Sequence, residues 1–416
     1  MSQIRSVISA IIGNLLEHYD SAIFGVLSPF IAPIFFSDQD PMVSLILTYL
    51  LIPLGLLMRP LGAVVFGRIG DIQGRKKALS LSLIGMALST MLIGCLPTYA
   101  QVGIYSPLLL IICRLSQGFF AAGETSGGAI YLLEFVGPKK SDFYSSIFDA
   151  STILGVFLAS LLTTVCVKFD VIEIGWRILF LLGGGVAIIG VRLRSKALVQ
   201  EKAHRVVSFK MAMQKYRWPF FVVVLTSGFS HATYVFAFTL MVGLIPYVSS
   251  LTKTQLLEMN TALLVFDMVA LPAFGLIAEK FGRVKVMAMA SACAAIFTPI
   301  GLLTMDLNSM VEVMYLRGVV VICGVCFAAA YHAYAIAFFP APVRYTLISV
   351  GSAIGAVVLG KPLAAISMCL YSITGSVVSS GVYFSMLGIL ATIGIIFAEL
   401  KKDIPDGQSN DHWVGN

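Results

Sequence analysis

The side chains of this sequence that could do chemistry are a few charged residues set inside long apolar stretches. Glu17 and Asp20 lie in the first stretch, and Arg114 and Glu124 lie in the fourth. A carboxylate in such surroundings can take up a proton or hold an ammonium group. An arginine keeps its charge and offers paired donors to a carboxylate. These four residues therefore predict a site that binds protons and a small charged molecule; the alternative is a set of ion pairs that lock the first stretch to the fourth or fifth.

Helical spacing sharpens that prediction. At about 100° per residue, Glu17 and Asp20 lie on neighbouring sides of one helix, so both can face the centre of a bundle. We expect at least one of them to carry a proton or to bind a substrate ammonium group. Arg114 is expected to hold a substrate carboxylate or to pair with Glu124 or Asp20. Glu124, which is flanked by glycines, is the preferred proton carrier.

Further polar residues in the apolar stretches are candidate substrate contacts beside Asp20 and Arg114: Tyr19, Tyr234, His332 and Lys361. A buried neutral ring that bonds to a helix carbonyl is the more frequent fate of a residue such as His332. Lys361 can neutralise a carboxylate or bind an anionic substrate. Asp149 and Asp267, single acids, stay open between structural and functional roles, and Arg59 is either an anchor at a helix end or a functional group.

Two glycine-rich polar loops stand out from the apolar background. "GRIGDIQGRKK" begins at Gly67 and "GLIAEKFGRVK" begins 208 residues later, at half the chain length of 416. The matched offset predicts an internal duplication and two tight helical hairpins. A carboxylate in such a loop can accept bonds from the free amides at a helix start, as we expect for Asp71. The loop residues expected to act as gates are Gly67, Asp71, Gly74, Arg75, Glu279, Gly282 and Arg283.

The composition places all of these residues in a membrane. Hydrophobic residues make up 58% of the chain and charged residues only 12%, and the mean hydropathy is +0.93. A soluble domain has about a quarter of its residues charged. Apolar runs of about 20 residues, enough for one helix to cross a bilayer, recur along the chain and exceed the strands of an outer-membrane barrel. We expect an all-α integral membrane protein in contact with the lipid bilayer.

Twelve transmembrane helices are predicted, at 7–36, 42–66, 78–97, 107–135, 144–167, 175–193, 219–245, 257–278, 286–305, 310–339, 346–369 and 377–399. The first is too long for a cleavable signal and is interrupted by Glu17 and Asp20. Lysine and arginine concentrate in alternate loops, which predicts that both termini are cytoplasmic. The net charge of +7 reflects these loops, so we expect no nucleic-acid partner.

The duplication and the span count together predict two pseudo-symmetric six-helix bundles. Their expected limits are 1–193 for the N-terminal bundle, 194–217 for a cytoplasmic linker loop, 218–400 for the C-terminal bundle and 401–416 for a short cytoplasmic tail. Arg114 in the fourth span has a counterpart, Arg317, in the tenth. Two parallel repeats around a central path are a known transporter design.

Motifs of enzymes and ATP-driven pumps are missing from the sequence. It has no G-x-x-x-x-G-K-[ST] loop and no HExxH. Cys323 and Cys326 form a CxxC pair, but they lie inside an apolar span, where packing is the simpler role. We therefore expect no enzymatic activity, no metal and no cofactor.

Several motifs resemble those of the major facilitator superfamily. "GRIGDIQGRKK" is similar to its signature loop, and "LIICRLSQGFFAAGE" is similar to its fourth-helix motif, with Arg114, Gln117 and Gly118 in the expected places. "GNLLEHYDSAIFG", "RPLGAVVFGRIGD", "GWRILFLLG" and "FFPAPVRYTLISVG" resemble one branch, the metabolite:proton symporters that include proline/glycine betaine transporters. The likeness is collinear over about residues 10–400. The loops depart from the pattern at Ile72, where a basic residue is common, and at Glu279, where Asp is usual.

The resemblance implies the major facilitator fold, a part for Arg114 in proton coupling, and residence in a bacterial cytoplasmic membrane. The expected function is import of a small zwitterionic or organic-acid metabolite or osmolyte, of proline or betaine type, by proton symport. The mechanism would be alternating access by a monomer, with the two halves rocking about a midplane site. The alternatives are an exporter or exchanger of metabolites, drugs or siderophores, and a nontransporting sensor on the same fold.

Overall fold

The computed structural model describes residues 2–37, 39, 41–195 and 209–402, and this part of the chain is helical without a strand. The helices in chain order are α1 Ser2–Phe35; α2 in two pieces, Pro41–Leu57 and Arg59–Ile72; α3 Arg75–Cys95; α4 Tyr105–Val136; α5 Ser141–Lys168; α6 Ile172–Ser195; α7 Arg217–Tyr234, continued by a π turn Val235–Leu240 and by Met241–Val248; α8 Lys253–Phe281; α9 Arg283–Thr304; α10 Met310–Ile336; α11 Ala341–Ile354, continued by a π turn Gly355–Gly360 and by Leu363–Thr374; and α12 Val377–Lys402. Short helical turns at Tyr99–Val102, Pro138–Lys140 and Phe209–Lys215 join some of them.

Each of the twelve predicted spans falls on one of these twelve helices, so the prediction of an all-α membrane protein with twelve spanning helices is confirmed. Among the described residues, ten of the helices are long and apolar enough to cross a membrane by themselves. The other two are α1, which carries Glu17 and Asp20, and α2, which is broken at Met58. Pro60 stands in the first turn of the second piece of α2, where its missing amide costs no helical bond.

The two polar loops have the same backbone turn. Gly74 and Gly282 lie 208 residues apart in the sequence, and their φ angles are +99° and +92°. Only glycine adopts this region without steric cost. The turn that begins α3 is therefore repeated at α9, as the duplication predicts. Gly67 lies inside the second piece of α2 and is buried there.

The described chain packs as two units. The first contains α1 to α4, α5 from Ser151 onward, and α6. The second contains residues 136–150 and α7 to α12. The sequence prediction placed all of α5 in the first bundle, whereas its first ten residues pack within the second unit. Most of the predicted linker, 196–208, and all but two residues of the predicted tail, 403–416, lie outside the described residues.

Close helix approaches fix α1 and α4 within the first unit. A Cβ added at Gly118 of α4 would overlap the carbonyl oxygen of Gly55 in α2, and one added at Gly155 of α5 would overlap the carbonyl oxygen of Leu15 in α1. Trp176 of α6 is fully buried in the apolar cluster that these helices enclose. Glycine at both contacts lets the backbones meet, as small residues do in membrane bundles.

The second unit is organised around aromatic rings and one buried arginine. Phe229 of α7 packs against Phe327 of α10 and Phe384 of α12, with ring centroids 4.8 and 5.7 Å away. Arg317 of α10 is fully buried and donates to the carbonyl oxygen of Ala237, inside the π turn of α7, at 3.0 Å. A π turn leaves backbone acceptors without their usual helical donor, and Arg317 supplies one.

Candidate functional site

The first candidate site joins α1, α3 and α4. Gln117 donates from Nε2 to Asp20 Oδ2 and to Thr90 Oγ1, both at 2.9 Å. Arg114 donates from Nη1 to the other end of the same amide, Gln117 Oε1, at 2.7 Å. The guanidinium lies 4.0 Å above the ring of Phe24. We call these five residues the Asp20 cluster.

The Asp20 cluster is buried but not saturated. Asp20, Arg114 and Gln117 are 5%, 7% and 4% exposed. Among the described residues, Asp20 Oδ1 and Arg114 Nε have no hydrogen-bond partner. Arg114 Nη1 donates to Gln117, so Nε is the donor of the guanidinium that is left for a ligand. Buried polar atoms normally find partners, so an open acceptor and an open donor in one cluster can receive an ammonium and a carboxylate.

Glu17 is part of a different arrangement, one turn away on α1. It is fully buried and accepts a hydrogen bond from Arg59 Nη2 of α2 at 2.7 Å. His18 Nδ1 lies 2.9 Å from its other oxygen and also 2.9 Å from the carbonyl oxygen of Asn14. The ion pair therefore joins α1 to α2, whereas the sequence reading considered α4 or α5 as the partner. It also gives Arg59 a structural contact in place of an anchor at a helix end.

Glu124, the preferred proton carrier, is fully buried in α4. Ser82 of α3 donates to its Oε1 at 3.0 Å. Ser82 also packs beside the neighbouring Gly123, where a Cβ would collide with it. Arg114, the partner considered for Glu124, bonds instead through Gln117 towards Asp20. The role of Glu124 in proton transfer stays a prediction.

Tyr19 neighbours Asp20 in sequence but serves the packing of α1. It is 5% exposed, it belongs to the apolar cluster of the first unit, and its hydroxyl donates to the carbonyl oxygen of Leu179 at 3.0 Å. That bond ties α1 to α6. A contact between Tyr19 and the substrate stays a prediction, and the Tyr19 hydroxyl already has a partner within the protein.

The remaining predicted substrate contacts lie in the second unit. The Tyr234 hydroxyl of α7 hydrogen-bonds to Asp267 Oδ2 of α8. His332 Nε2 of α10 lies 3.1 Å from Asp149 Oδ1 of α5. Lys361 directly follows the π turn of α11, and its amide donates to the carbonyl oxygen of Ala356 at 2.9 Å. Tyr234 and His332 thus each face an acid that the sequence reading left open.

The first polar loop is held by a buried ion-pair network. Arg75 donates from Nη1 to Asp71 Oδ1 at 2.6 Å and to the carbonyl oxygen of Gly70 at 2.8 Å. Its Nε and Nη2 reach the two oxygens of Glu134, at the end of α4, at 3.1 and 3.2 Å. Arg75 therefore binds the end of α2 to the end of α4. Glu134 was not among the predicted site residues; it lies ten residues after Glu124, at the end of the same helix.

The second polar loop bonds to the start of α5. Glu279 Oε1 accepts the backbone amide of Phe143 at 3.1 Å, and Arg283 lies 3.2 Å from Asp142 Oδ2. Arg283 also donates to Ser141 Oγ at 2.8 Å and to the carbonyl oxygen of Ala333 at 2.9 Å. A carboxylate at a helix start, the arrangement expected for Asp71, is thus found at Glu279. These are charge contacts that a gate needs, and gating itself stays a prediction.

Three members of the Asp20 cluster, Gln117, Thr90 and Phe24, were not predicted as site residues. Gln117 stands three residues after Arg114, one helical turn on, which was a usable signal for a shared face. Thr90 is one hydroxyl residue among many in an apolar span, and no pattern marks it. Within the described residues, no group of three or more metal-ligating side chains comes together.

The family model described as Major Facilitator Superfamily matches residues 10–244, more than half of the chain. The chain belongs to the major facilitator superfamily. This major facilitator protein is therefore a transporter and not an enzyme.

Two curated relatives are similar to this major facilitator protein along most of its length. The proline/betaine transporter of Salmonella typhimurium (strain LT2) is 28% identical over 381 residues, which cover 86% of this chain and 75% of that protein. The putative proline/betaine transporter of Staphylococcus aureus (strain COL) is 27% identical over 415 residues, which cover 95% of this chain and 88% of that protein.

Solved structures show the same fold. The proton:xylose symporter XylE superposes with a TM-score of 0.75 at 15% identity, covering 97% of this chain and 96% of that one. The fucose:proton symporter FucP of E. coli superposes with a TM-score of 0.71 at 12% identity, covering 95% and 99%. The predicted major facilitator fold is confirmed.

Proposed function

We propose that this major facilitator protein imports a small zwitterion of the proline or betaine type together with a proton, by alternating access. The observation that carries the proposal is the Asp20 cluster, in which an acid and an arginine are bridged by one amide and each keeps an unused polar atom. A zwitterion carries the complementary pair of charges. The names of the two curated relatives support the same substrate class.

The two charged ends of the substrate would have separate partners in the cluster. Its ammonium group would lie at Asp20 Oδ1, and its carboxylate would accept a charge-assisted hydrogen bond from Arg114 Nε. Phe24 presents an aromatic face that the guanidinium covers at 4.0 Å in this structure. A quaternary ammonium group is attracted to such a face in the same way, because of the negative charge density of the ring.

Proton coupling is proposed for the acids of α1 and α4. Glu124 and Asp20 are buried carboxylates; Ser82 donates to Glu124, and Gln117 donates to Asp20. A carboxylate at membrane depth is costly when it is charged, so it favours holding a proton until water or a cation reaches it. Glu17, which has Arg59 as a counter-charge, is the less suitable carrier.

The test uses purified protein in sealed liposomes with an imposed pH gradient and a pH-sensitive dye inside. Proline, glycine betaine, ectoine and small carboxylates are added one at a time. We expect substrate-dependent proton influx with one zwitterion, weakened in Asp20→Asn and unchanged in Glu173→Gln, whose carboxyl is exposed at the start of α6. If none of these solutes produces a proton flux, and preloaded solute exchanges without a gradient, symport is rejected and the exchanger is favoured.

A further inference from the structure

The second unit contains a titratable cluster that the substrate site does not use. It consists of Tyr234 on α7, Asp267 on α8, Asp149 on α5 and His332 on α10, and we call it the Asp267 cluster. Asp267 is 2% exposed, and the side chains of His332 and Asp149 are 13% and 19% exposed. Asp149 and Asp267 interact electrostatically, so the four residues form one charge system.

The charges of the Asp267 cluster do not balance without an added proton. Among the described residues, the hydrogen-bond partners of the two carboxylates are the Tyr234 hydroxyl and the His332 ring, with no lysine or arginine. Even a fully charged His332 would offset only one of the two carboxylates. An uncompensated buried carboxylate is strongly disfavoured, so one more positive charge must be bound when water is excluded.

A small cavity lies beside Asp267. Its lining includes Tyr234, Asp267, Thr233, Phe238, Val321 and Gly324. The Thr233 hydroxyl already donates to the carbonyl oxygen of Ser230 at 2.7 Å, and most of the other lining residues are apolar. A metal cation needs several converging oxygen ligands, which this lining lacks. A proton needs one basic atom and a water path.

The neighbouring groups do not remove the need for a proton. Tyr331 of α10 shares its hydroxyl with Ser352 Oγ at 2.7 Å, and its ring packs 5.1 Å from that of His332. The ring of Phe148 packs 5.4 Å from His332 on the Asp149 side. Neither Tyr331 nor Phe148 brings a positive charge to the two acids.

We propose that the Asp267 cluster binds an exchangeable proton, with Asp267 as the acceptor. The proton would pass from water to the Asp267 carboxylate while the cavity is hydrated from one side, and return to water on the other. His332 and Asp149 would keep the rest of the cluster neutral as an ion pair. The part of this proton in transport rests on the proposed symport function, whereas its binding is a property of the four side chains.

Infrared titration of the purified full-length protein tests the binding directly. We expect a pH-dependent carbonyl band from protonated buried carboxyl groups, one component of which is lost in Asp267→Asn and retained in Asp306→Asn, a control in the loop before α10. Tyr234→Phe keeps both the acid and the ring, so it should shift the frequency of the band, and it carries the test if Asp267→Asn does not fold. A band that is unchanged in both Asp267→Asn and Tyr234→Phe would overturn the proposal. Substrate binding that depends on sodium and is lost in Asp267→Asn would also overturn the proposal, in favour of a metal cation.

A transport experiment then separates this inference from the proposed function. In liposomes with a gradient of one pH unit, loss of one coupled proton lowers the limiting substrate accumulation about tenfold. We expect this tenfold lower accumulation in Asp267→Asn, with substrate counterflow retained. Unchanged accumulation would refute a transported proton at Asp267. Absence of proton flux in the unaltered protein would refute symport itself, and the infrared result would still decide whether the cluster binds a proton.

Discussion

Replacement of Arg114 by lysine is the sharpest test of the substrate site. The guanidinium uses Nη1 for Gln117 at 2.7 Å and its face for Phe24 at 4.0 Å, and its Nε is left to donate to a carboxylate. Lysine keeps the charge but has one compact ammonium group, so it cannot replace the planar pair of donors. The substitution should therefore remove one charge-assisted hydrogen bond to the substrate.

The expected magnitude follows from that single bond. A hydrogen bond to a charged group contributes about 1.5–3 kcal/mol, which corresponds to binding weakened about 10- to 150-fold. A ligand without a carboxylate should lose far less. Two pairs of ligands allow this comparison, because the members of each pair differ in the carboxylate. Glycine betaine and choline share the trimethylammonium group, and only glycine betaine has a carboxylate. Proline and pyrrolidine differ in the same way.

The assay is calorimetric binding of both members of a pair to the unaltered protein and to Arg114→Lys. Arg177→Lys is the matched control, because Arg177 donates to the carbonyl oxygens of Gly94 and Leu96, both at 2.8 Å, away from the Asp20 cluster. We expect the control to leave the ratio of the two affinities unchanged. If Arg114→Lys weakens both ligands equally, or weakens neither, the assignment of the carboxylate to Arg114 is refuted.

Three further substitutions test other contacts. Glu124→Gln should abolish proton-driven accumulation and leave counterflow partly intact; loss of both in a folded protein would assign Glu124 to substrate binding instead. Gly118→Ala should destabilise the protein by about 1–3 kcal/mol through overpacking, measured by thermal unfolding. Gly318→Ala is the control and should not destabilise it, because no atom lies near the added Cβ. Equal stability of the two variants would contradict the close approach of Gly118 to Gly55. Glu17→Gln should cost up to about 3–5 kcal/mol because it leaves the partly buried Arg59 without its counter-charge. Adding Arg59→Gln should restore part of that loss; a double variant no more stable than the single one would argue against the ion pair.

Much of the fold could be predicted because its causes are local. Twelve apolar runs specify twelve helices, since a bilayer leaves helices as the way to satisfy the backbone of such runs. Gly74 and Gly282 mark a repeated turn because their backbone angles require glycine. The π turns in α7 and α11 were not predicted, because they depend on what packs against the helix, such as Arg317 donating to Ala237.

The sequence predicted which charged residues belong to the candidate site better than it predicted which of them pair with each other. Asp20 and Arg114 were chosen because charges inside apolar spans need a reason, but the sequence left Glu124 and Asp20 as equal partners for Arg114. The structure selects Asp20, through Gln117. Helix rotation and register decide such pairings, and these depend on distant backbone contacts such as that of Gly118 with Gly55.

The sequence by itself determined that this is a membrane protein of twelve helices, with an internal repeat, a few buried charges and the motifs of its superfamily. These properties follow from composition and spacing along one chain. Only the tertiary structure decided which charges meet: Glu17 with Arg59, Asp20 with Gln117 and Arg114, Tyr234 with Asp267, and Asp149 with His332. The physical reason is that a buried charge accepts whichever partner helix packing brings within hydrogen-bonding distance, and packing is a property of all the helices together.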